Sequence, residues 1–293
     1  MLFMSSSKKV VAIVQARVSS IRFPYKVLQK IGNKTAIQIL LERLSFSKKI
    51  DKIVVAIPKD KKEKILKNHI VNLGNEVFEG HKTDLVDRYY KAAKKFKADV
   101  IVRVTGDCPL IDVNILDEMV EKFLLNKFHL VLNYKPPTFP NGLDLAITDF
   151  IRLKEVWNKA RKSSDREHVM PYLIRNKSYK KFNFKNNVNF SKERWTLDEK
   201  EDFQVISNIF KNLKNYHCNF NEIIRLRKSK PKIFYANKNI PRDEGSKLNT
   251  GQKLWKRVKQ IIPFHILNTK EFKKISKNEV LLTNLMVWCN KNR

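Results

Sequence analysis

Short apolar runs rich in β-branched residues alternate with longer stretches of helical periodicity over the first half of the chain. Such runs are typical of strands, and those at 10–14, 52–57 and 99–104 are continuous enough to be buried on both faces of a sheet. Strands are predicted at residues 10–14, 52–57, 77–79, 99–104, 129–133 and 143–147.

Helical patterns fill the intervals between these strands and are predicted over residues 35–48, 61–73, 84–96 and 113–126. Asp60 and Glu63 have the spacing of a capping box that begins the second helix, and Gly74 is placed to end it. The alternation predicts an α/β fold with a mostly parallel, mixed sheet and helices on both faces. Ligands of such sheets bind at the carboxyl ends of the strands, so chemistry is expected after Val14 and Val104.

The pattern becomes more helical after Phe150, with helices predicted over 149–161, 166–175 and 199–213 and extended pieces at 181–185 and 194–196. Its character changes again near residue 241. We therefore predict one domain over residues 1–240, followed over 241–293 by a linker at 242–246, a short basic helix at 250–262 and a tail of weak periodicity.

The net charge of +31, from 60 Lys and Arg against 29 Asp and Glu, raises the question of a nucleic-acid partner. The cations are scattered along the chain and 45 of them are lysines, which favours a solvated lysine surface. A DNA-binding protein more often has an arginine-rich cluster on a recognisable motif. Nucleic acid is therefore kept only as an alternative partner.

Three widely spaced cysteines, an odd number, are typical of a reducing compartment and do not form a disulfide framework or a paired-cysteine zinc site. Apolar runs are too short for a membrane span, and the N-terminus lacks the order of a signal peptide. A cytoplasmic protein without a membrane span is expected.

The loop after the first strand carries three cations, Arg17, Arg22 and Lys26, with Ser19 and Ser20 between them. Guanidinium forks, an ammonium group and hydroxyls together suit a triphosphate, although the spacing is not that of a P-loop. A solvated basic loop would have the same composition.

Two carboxylates follow other extended segments. Asp107 lies on a Gly-Asp turn after the strand at 99–104, where it could bind Mg²⁺ on phosphate oxygens or simply form the turn. Asp198 could be a second metal ligand or a first-turn charge next to a Thr196–Glu199 capping box. Asp112 suits the N-cap of the following helix, and Cys108 suits packing better than nucleophilic chemistry.

Two polar segments further along the chain could contact a sugar. Asn141 and Gly142 form a turn followed by the Asp144 carboxylate, while Glu167 and His168 lie near the start of a predicted helix. Both segments are equally compatible with surface turns.

Six motifs occur in order in this sequence: VVAIVQARVSSIRFPYK (10–26), KTDLVDRYY (82–90), RVTGDCPLID (103–112), FPNGLD (139–144), REHVMPY (166–172) and RWTLDEKEDF (194–203). Together they resemble the SpsF-type cytidylyltransferases, relatives of the CMP-sialate and CMP-KDO synthetases, over residues 9–235. The resemblance implies a nucleotide-diphospho-sugar transferase fold, often dimeric, so that a homodimer is one expected state. It also implies CMP transfer from CTP to a sugar, with Mg²⁺ as cofactor, release of pyrophosphate and a role in surface polysaccharide or glycan synthesis.

The resemblance also implies roles for individual residues. Arg17, Lys26 and Asp107 would be catalytic, and Asp107 and Asp198 would bind the metal. Nucleotide contacts are implied for Gln15, Ala16, Arg17, Ser20, Arg22, Lys26, Asp84, Arg88, Arg103 and Thr105. Contacts with the sugar, expected to be an acidic 3-deoxy-2-keto sugar, are implied for Asn141, Gly142, Asp144, Glu167 and His168.

Ser19 and Tyr25 stand where the phosphate loop of the family usually has glycine. If either position requires a positive φ angle or a close approach of backbone to phosphate, CTP binding would be weaker. A degenerate enzyme, an enzyme for another nucleotide on the same fold and a glycosyltransferase therefore remain alternatives. Residues 264–293 could be the remnant of a further domain, because 245–263 resembles a junction to an aminotransferase-like domain.

Overall fold

A computed structural model describes residues 8–242 of the chain and contains a seven-stranded sheet in the order β5-β4-β1-β6-β8-β7-β9. The strands are β1 (Val10–Gln15), β2 (Lys30–Ile31), β3 (Lys34–Thr35), β4 (Lys52–Pro58), β5 (Glu76–Gly80), β6 (Val100–Thr105), β7 (Leu130–Leu132), β8 (Ala146–Asp149) and β9 (Lys181–Asn183). The short β2 and β3 form a separate antiparallel hairpin. The basic helix and tail predicted over 250–293 lie outside the described residues.

The central strands β5, β4, β1 and β6 are parallel, and β8 is antiparallel to both β6 and β7. β7 and β9 pair in parallel at the edge. The predicted mixed, mostly parallel sheet is therefore confirmed. The chain moves from β1 to β4 on one side and later returns to β6 on the other. This reversal opens a crevice at the carboxyl ends of β1 and β6, where ligands of open α/β sheets bind.

Helices cover both faces of the sheet, as predicted. The helices are α1 (Ala36–Leu44), α2 (Lys64–Asn72), α3 (Leu85–Lys95), α4 (Val113–Leu125), α5 (Phe150–Lys159), α6 (Ser163–His168), α7 (Pro171–Arg175), α8 (Lys200–Leu213) and α9 (Phe220–Ser229). Alternate residues of β1 enter two apolar clusters: Ala12 and Val14 pack with α1, α2, α4, α8 and α9, whereas Val11 and Ile13 pack with α3, α5 and α7. No helix within residues 8–242 has the length and apolar character needed to span a membrane.

Two predicted elements differ from the structure for identifiable reasons. The strand predicted at 143–147 begins only at Ala146, because the Asn133 side chain bonds the Leu143 carbonyl at 2.7 Å and the Leu145 N–H at 2.8 Å. The helix predicted over 166–175 is divided into α6 and α7. Val169, at φ 67°, separates them, and Pro171 begins α7.

Of the predictions for helix caps, one is confirmed and one is wrong here. Asp112 caps α4 as predicted, accepting hydrogen bonds from the N–H groups of Asn114 and Ile115. The Thr196–Glu199 capping box is wrong, since Glu199 itself is the N-cap of α8 and forms the box with Asp202. The helix α9 was not predicted, although Asn219 forms a capping box at its start.

Arg43 of α1 joins the C-terminal helices to the sheet. It is 4% exposed and donates hydrogen bonds to the carbonyl oxygens of Leu110, Ile111, Tyr216 and Cys218. The loop that follows β6 is therefore held from behind by a buried guanidinium. Buried carbonyls that lose such a donor carry the full cost of desolvation.

We expect Arg43→Gln to lower the free energy of unfolding by about 3 kcal/mol, because a shorter amide cannot reach all of these carbonyls. Urea denaturation followed by circular dichroism measures the change. Arg225→Gln, at an exposed position of α9, is the matched control and should change stability by less than about 0.5 kcal/mol. Equal stability of the two variants would contradict the assigned role of Arg43.

Tyr25, just before Lys26, has φ 55°, in the left-handed region that favours glycine, and its side chain is 49% exposed. Tyr25→Gly should therefore raise the free energy of unfolding by about 0.5–1 kcal/mol, since relief of strain exceeds the entropic cost of glycine. Thermal or urea unfolding tests this expectation. Tyr25→Ala keeps a Cβ atom and should give no such gain, so equal stabilisation by alanine would assign the effect to the lost ring instead.

Candidate active site

The loops that follow β1 and β6 leave the sheet side by side, because Gln15 pairs with Thr105 in the parallel ladder. The N–H of Gly106 donates to the Gln15 carbonyl at 2.8 Å. A Cβ atom at Gly106 would lie 2.8 Å from the Ala16 Cβ, so this contact requires glycine. The predicted phosphate loop and Asp107 therefore lie side by side at the carboxyl ends of β1 and β6.

Lys26 lies where these two loops and the segment before α8 meet. Its ammonium group lies 2.5 Å from Oδ2 of Asp107 and 2.6 Å from Oδ1 of Asp198. Burial disfavours the charged ammonium, but the two carboxylates outweigh this effect and raise the pKa of Lys26. Burial likewise opposes ionisation of Asp198, yet Lys26 and the neighbouring arginines hold the pKa of this carboxyl well below its usual range. The two predicted metal ligands thus converge on one cation.

Arg22 extends the ion-pair network along the start of α8. Its guanidinium lies 3.0 Å from Asp198 and 3.1 Å from Glu199. Burial lowers its pKa, but these two carboxylates outweigh that effect, so the pKa of Arg22 is raised. Behind them, Arg194 binds both oxygens of the buried Asp202, at 2.8 and 2.9 Å. Asp202 in turn accepts the Asp198 N–H at 2.9 Å, which fixes the position of that residue.

Glu63 holds the phosphate loop from the side of β4. It is 1% exposed and accepts hydrogen bonds from the Val18 N–H at 2.8 Å and the Ser19 hydroxyl at 3.2 Å. The predicted capping box of Asp60 and Glu63 is therefore wrong: Asp60 accepts the Lys62 N–H, and Glu63 points to the loop. Sequence reasoning missed this role, because the contact joins residues 45 positions apart.

The remaining cations and hydroxyls of the loop differ in their surroundings. Arg17 is exposed and, among the described residues, forms no ion pair. Ser20 accepts a long hydrogen bond from the Phe23 N–H at 3.5 Å. Ser19 is not among the described residues of positive φ, so of these two loop positions it is Tyr25 that occupies a conformation favouring glycine. Arg17 is thus the cation of the loop that is open to an incoming anion.

The Asp107 segment is tied directly to the segment that carries Asp198. The Asp107 carbonyl accepts the Leu197 N–H at 2.7 Å and the Thr196 hydroxyl at 3.3 Å. The Thr105 hydroxyl lies 2.9 Å from the Cys108 thiol. Burial, followed by the charge of Asp107, raises the pKa of Cys108 well above its usual value, in line with a packing role. Arg103 is half-buried on β6, and its Nε has no hydrogen-bond partner among the described atoms.

The predicted sugar-binding turn packs against this same segment. Asn141 exchanges backbone hydrogen bonds with Glu193 and Trp195, at 2.9 and 2.6 Å. Gly142 has φ 110°, and a Cβ atom there would lie 2.5 Å from the Trp195 backbone, so the turn requires glycine. Asp144 forms an ion pair with Arg242.

The other predicted site residues lie around α3 and α6. Asp84 caps α3 and pairs with Arg166, while Arg88 donates to the carbonyls of His81 and Lys82. Burial lowers the pKa of Arg88 to about 10. Asp84 and Arg88 thus have structural partners, and their nucleotide contacts remain predictions. Glu167 and His168 are exposed at the end of α6. Their contact with a sugar also remains a prediction.

The sequence of this chain is similar to a protein family and to several known proteins. A cytidylyltransferase family model matches residues 11–240. The uncharacterized protein MJ1063 of Methanocaldococcus jannaschii is 34% identical over 235 residues, which are 79% of this chain and 96% of that protein. The spore coat polysaccharide biosynthesis protein SpsF of Bacillus subtilis is 28% identical over 68% of this chain and 85% of its own length.

A solved cytidylyltransferase from Leptospira borgpetersenii serovar Hardjo-bovis has the same architecture, with a TM-score of 0.75 and 34% sequence identity. The match covers 78% of this chain and 97% of that chain. The fold is that of the nucleotide-diphospho-sugar transferases, as predicted. Since the family model spans most of the sequence, this chain belongs to the cytidylyltransferase family.

Proposed function

We propose that this enzyme transfers CMP from CTP to an acidic 3-deoxy-2-keto sugar and releases pyrophosphate, in the cytoplasm, for a surface polysaccharide or glycan. The main supporting observation is the shared ammonium group of Lys26, which brings the phosphate loop and two carboxylates to one point at the carboxyl edge of the sheet. Membership of the cytidylyltransferase family supports the reaction type, and the name of the Bacillus subtilis relative supports the polysaccharide product. Cys108 and Cys218, both buried and free, are compatible with a reducing compartment.

Asp107 and Asp198 would hold Mg²⁺. Their oxygens already converge on one cation, and carboxylate oxygens are preferred ligands of this ion. Within residues 8–242, no group of three or more His, Cys, Asp or Glu side chains could hold a metal, so substrate phosphates and water would complete the coordination. The ion would supply neutralisation of phosphate charge when bound.

Lys26 and Arg22 would exchange their carboxylate partners for phosphate oxygens when CTP binds, and Arg17 and Ser20 would add contacts from the open side of the loop. A cation that changes partners keeps its charge compensated in both states, so the buried ammonium is never left unpaired. In the reaction, the acceptor hydroxyl gives up its proton to water and attacks the α-phosphorus, and the bond from that phosphorus to the pyrophosphate oxygen breaks, so that pyrophosphate leaves. Arg17, Arg22 and Lys26 stabilise the charge that develops on that oxygen.

The acceptor would lie between the turn at Asn141–Gly142, the Asp144 carboxylate and the exposed end of α6 that carries Glu167 and His168. The turn is fixed against Trp195 and Thr196, close to Asp107, so a sugar bound there would be near the α-phosphorus. Carboxylate and amide groups suit the hydroxyls of a sugar.

Asp107→Asn should lower the rate of pyrophosphate release on the order of 10³-fold, because one of the two charged ligands of the proposed metal is lost. The assay contains CTP, Mg²⁺ and a panel of 3-deoxy-2-keto sugar acids. Circular dichroism should show an unchanged fold, and Glu118→Gln, at an exposed position of α4, should react like wild type. Pyrophosphate release by Asp107→Asn at the wild-type rate would remove Asp107 from the mechanism.

Arg17→Gln should weaken CTP binding about tenfold, which corresponds to the loss of one charge-assisted hydrogen bond. Calorimetric titration with CTP and Mg²⁺ measures the affinity, and thermal shifts with UTP, ATP and GTP measure the base preference. Arg161→Gln, an exposed arginine bonded to the Asn158 carbonyl, is the matched control. A larger shift with another nucleotide would overturn the preference for CTP, and tight, salt-sensitive DNA binding would favour the nucleic-acid alternative.

A further inference from the structure

Arg242 joins the acceptor side of the site from outside the matched family region. It is two positions beyond residue 240, where the family model ends. Its Nη2 forms an ion pair with Oδ1 of Asp144, and its Nη1 donates to the Phe139 carbonyl at 3.1 Å. The two side chains are only 15% and 22% exposed. Although the sequence predicts a linker here, Arg242 packs on the domain.

The carboxylate that Arg242 binds is close to the reaction centre. Asp144 follows the Asn141–Gly142 turn, whose backbone touches Trp195 and Thr196. The Thr196 hydroxyl in turn donates to the carbonyl of Asp107. Two contacts therefore connect the Asp144 segment with the carboxylates around Lys26.

The charge of Asp144 has a consequence for an anionic substrate. A half-buried carboxylate at this place would repel both a triphosphate and a sugar acid unless a cation compensates it. Arg242 supplies that cation, and its planar guanidinium also fixes the direction of the carboxylate. Carboxylate oxygens accept hydrogen bonds, and the hydroxyls of a sugar are donors suited to them.

We propose that Arg242 is a positioning residue for the acceptor, which acts through Asp144 and adapts the site to an anionic sugar. This inference rests on the proposed function. It assigns a role in the reaction to a residue beyond the family domain, and it separates acceptor binding from nucleotide binding, since Arg242 makes no described contact with the loop over residues 15–26.

The test measures steady-state pyrophosphate release with saturating CTP and Mg²⁺ and varied 3-deoxy-D-manno-octulosonate, or the best acid of the panel. Arg242→Gln should raise the KM for the acceptor about tenfold, while kcat changes less than about threefold and the calorimetric Kd for CTP is unchanged. Arg242→Lys should recover part of the loss, because it restores the charge without the fork. Lys238→Gln, an exposed position four residues earlier, should behave like wild type.

A double-mutant cycle with Asp144→Asn tests whether Arg242 acts through that carboxylate. The double variant should have the same acceptor KM as Asp144→Asn alone, because both substitutions disrupt the same ion pair between Arg242 and Asp144. Additive effects, an unchanged acceptor KM, or equal losses of acceptor binding, CTP affinity and melting temperature would overturn the inference. Absence of turnover by wild type with every acid of the panel would instead overturn the proposed function, and the inference with it.

Discussion

The site depends on one ammonium group shared by two carboxylates. Lys26 reaches Asp107 and Asp198, which are 81 and 172 positions away in sequence. The three side chains come from the loop after β1, the loop after β6 and the segment before α8. Removal of Lys26 would leave two carboxylates side by side without the cation they share, in a mostly buried site, which costs more than the ion pairs themselves contribute. The fold therefore has to bring these three segments together, and every other feature of the site supports that arrangement.

The residues that hold these three segments together contact mainly backbone groups. Gly106 allows the β6 loop to touch the β1 loop, and Glu63 binds the Val18 N–H. Asp202 fixes the start of α8 through the Asp198 N–H, and Arg43 holds the loop after Asp107 from behind. Main-chain contacts of this kind fix the positions from which the long side chains of Lys26 and Arg22 reach their carboxylates.

The central strands, most helices and the meeting of the two loops could be predicted from sequence, because continuous apolar runs and parallel pairing determine which strand ends are adjacent. Contacts such as Glu63 with Val18 or Arg242 with Asp144 could not, since nothing local distinguishes a buried, distant partner from a capping residue or a linker charge. The sequence could show only that a positive φ angle at Tyr25 would be unfavourable for tyrosine. The structure shows that this angle is indeed positive, at 55°. The division of the helix at Val169 and Pro171 shows how backbone strain can interrupt a regular pattern.

The large positive charge has little to do with the chemistry at the centre of the site. Lys26 and Arg22 together face three carboxylates, because they share Asp198, so the centre of the site is close to charge balance in spite of the net +31 of the chain. A trianionic or tetraanionic nucleotide would therefore have to bring its own cation or displace internal partners. This requirement favours a nucleotide that arrives with a divalent metal, because the two carboxylates released by Lys26 would then gain a new cation at the same moment. The same carboxylates thus stabilise the loop before binding and would hold the metal afterwards.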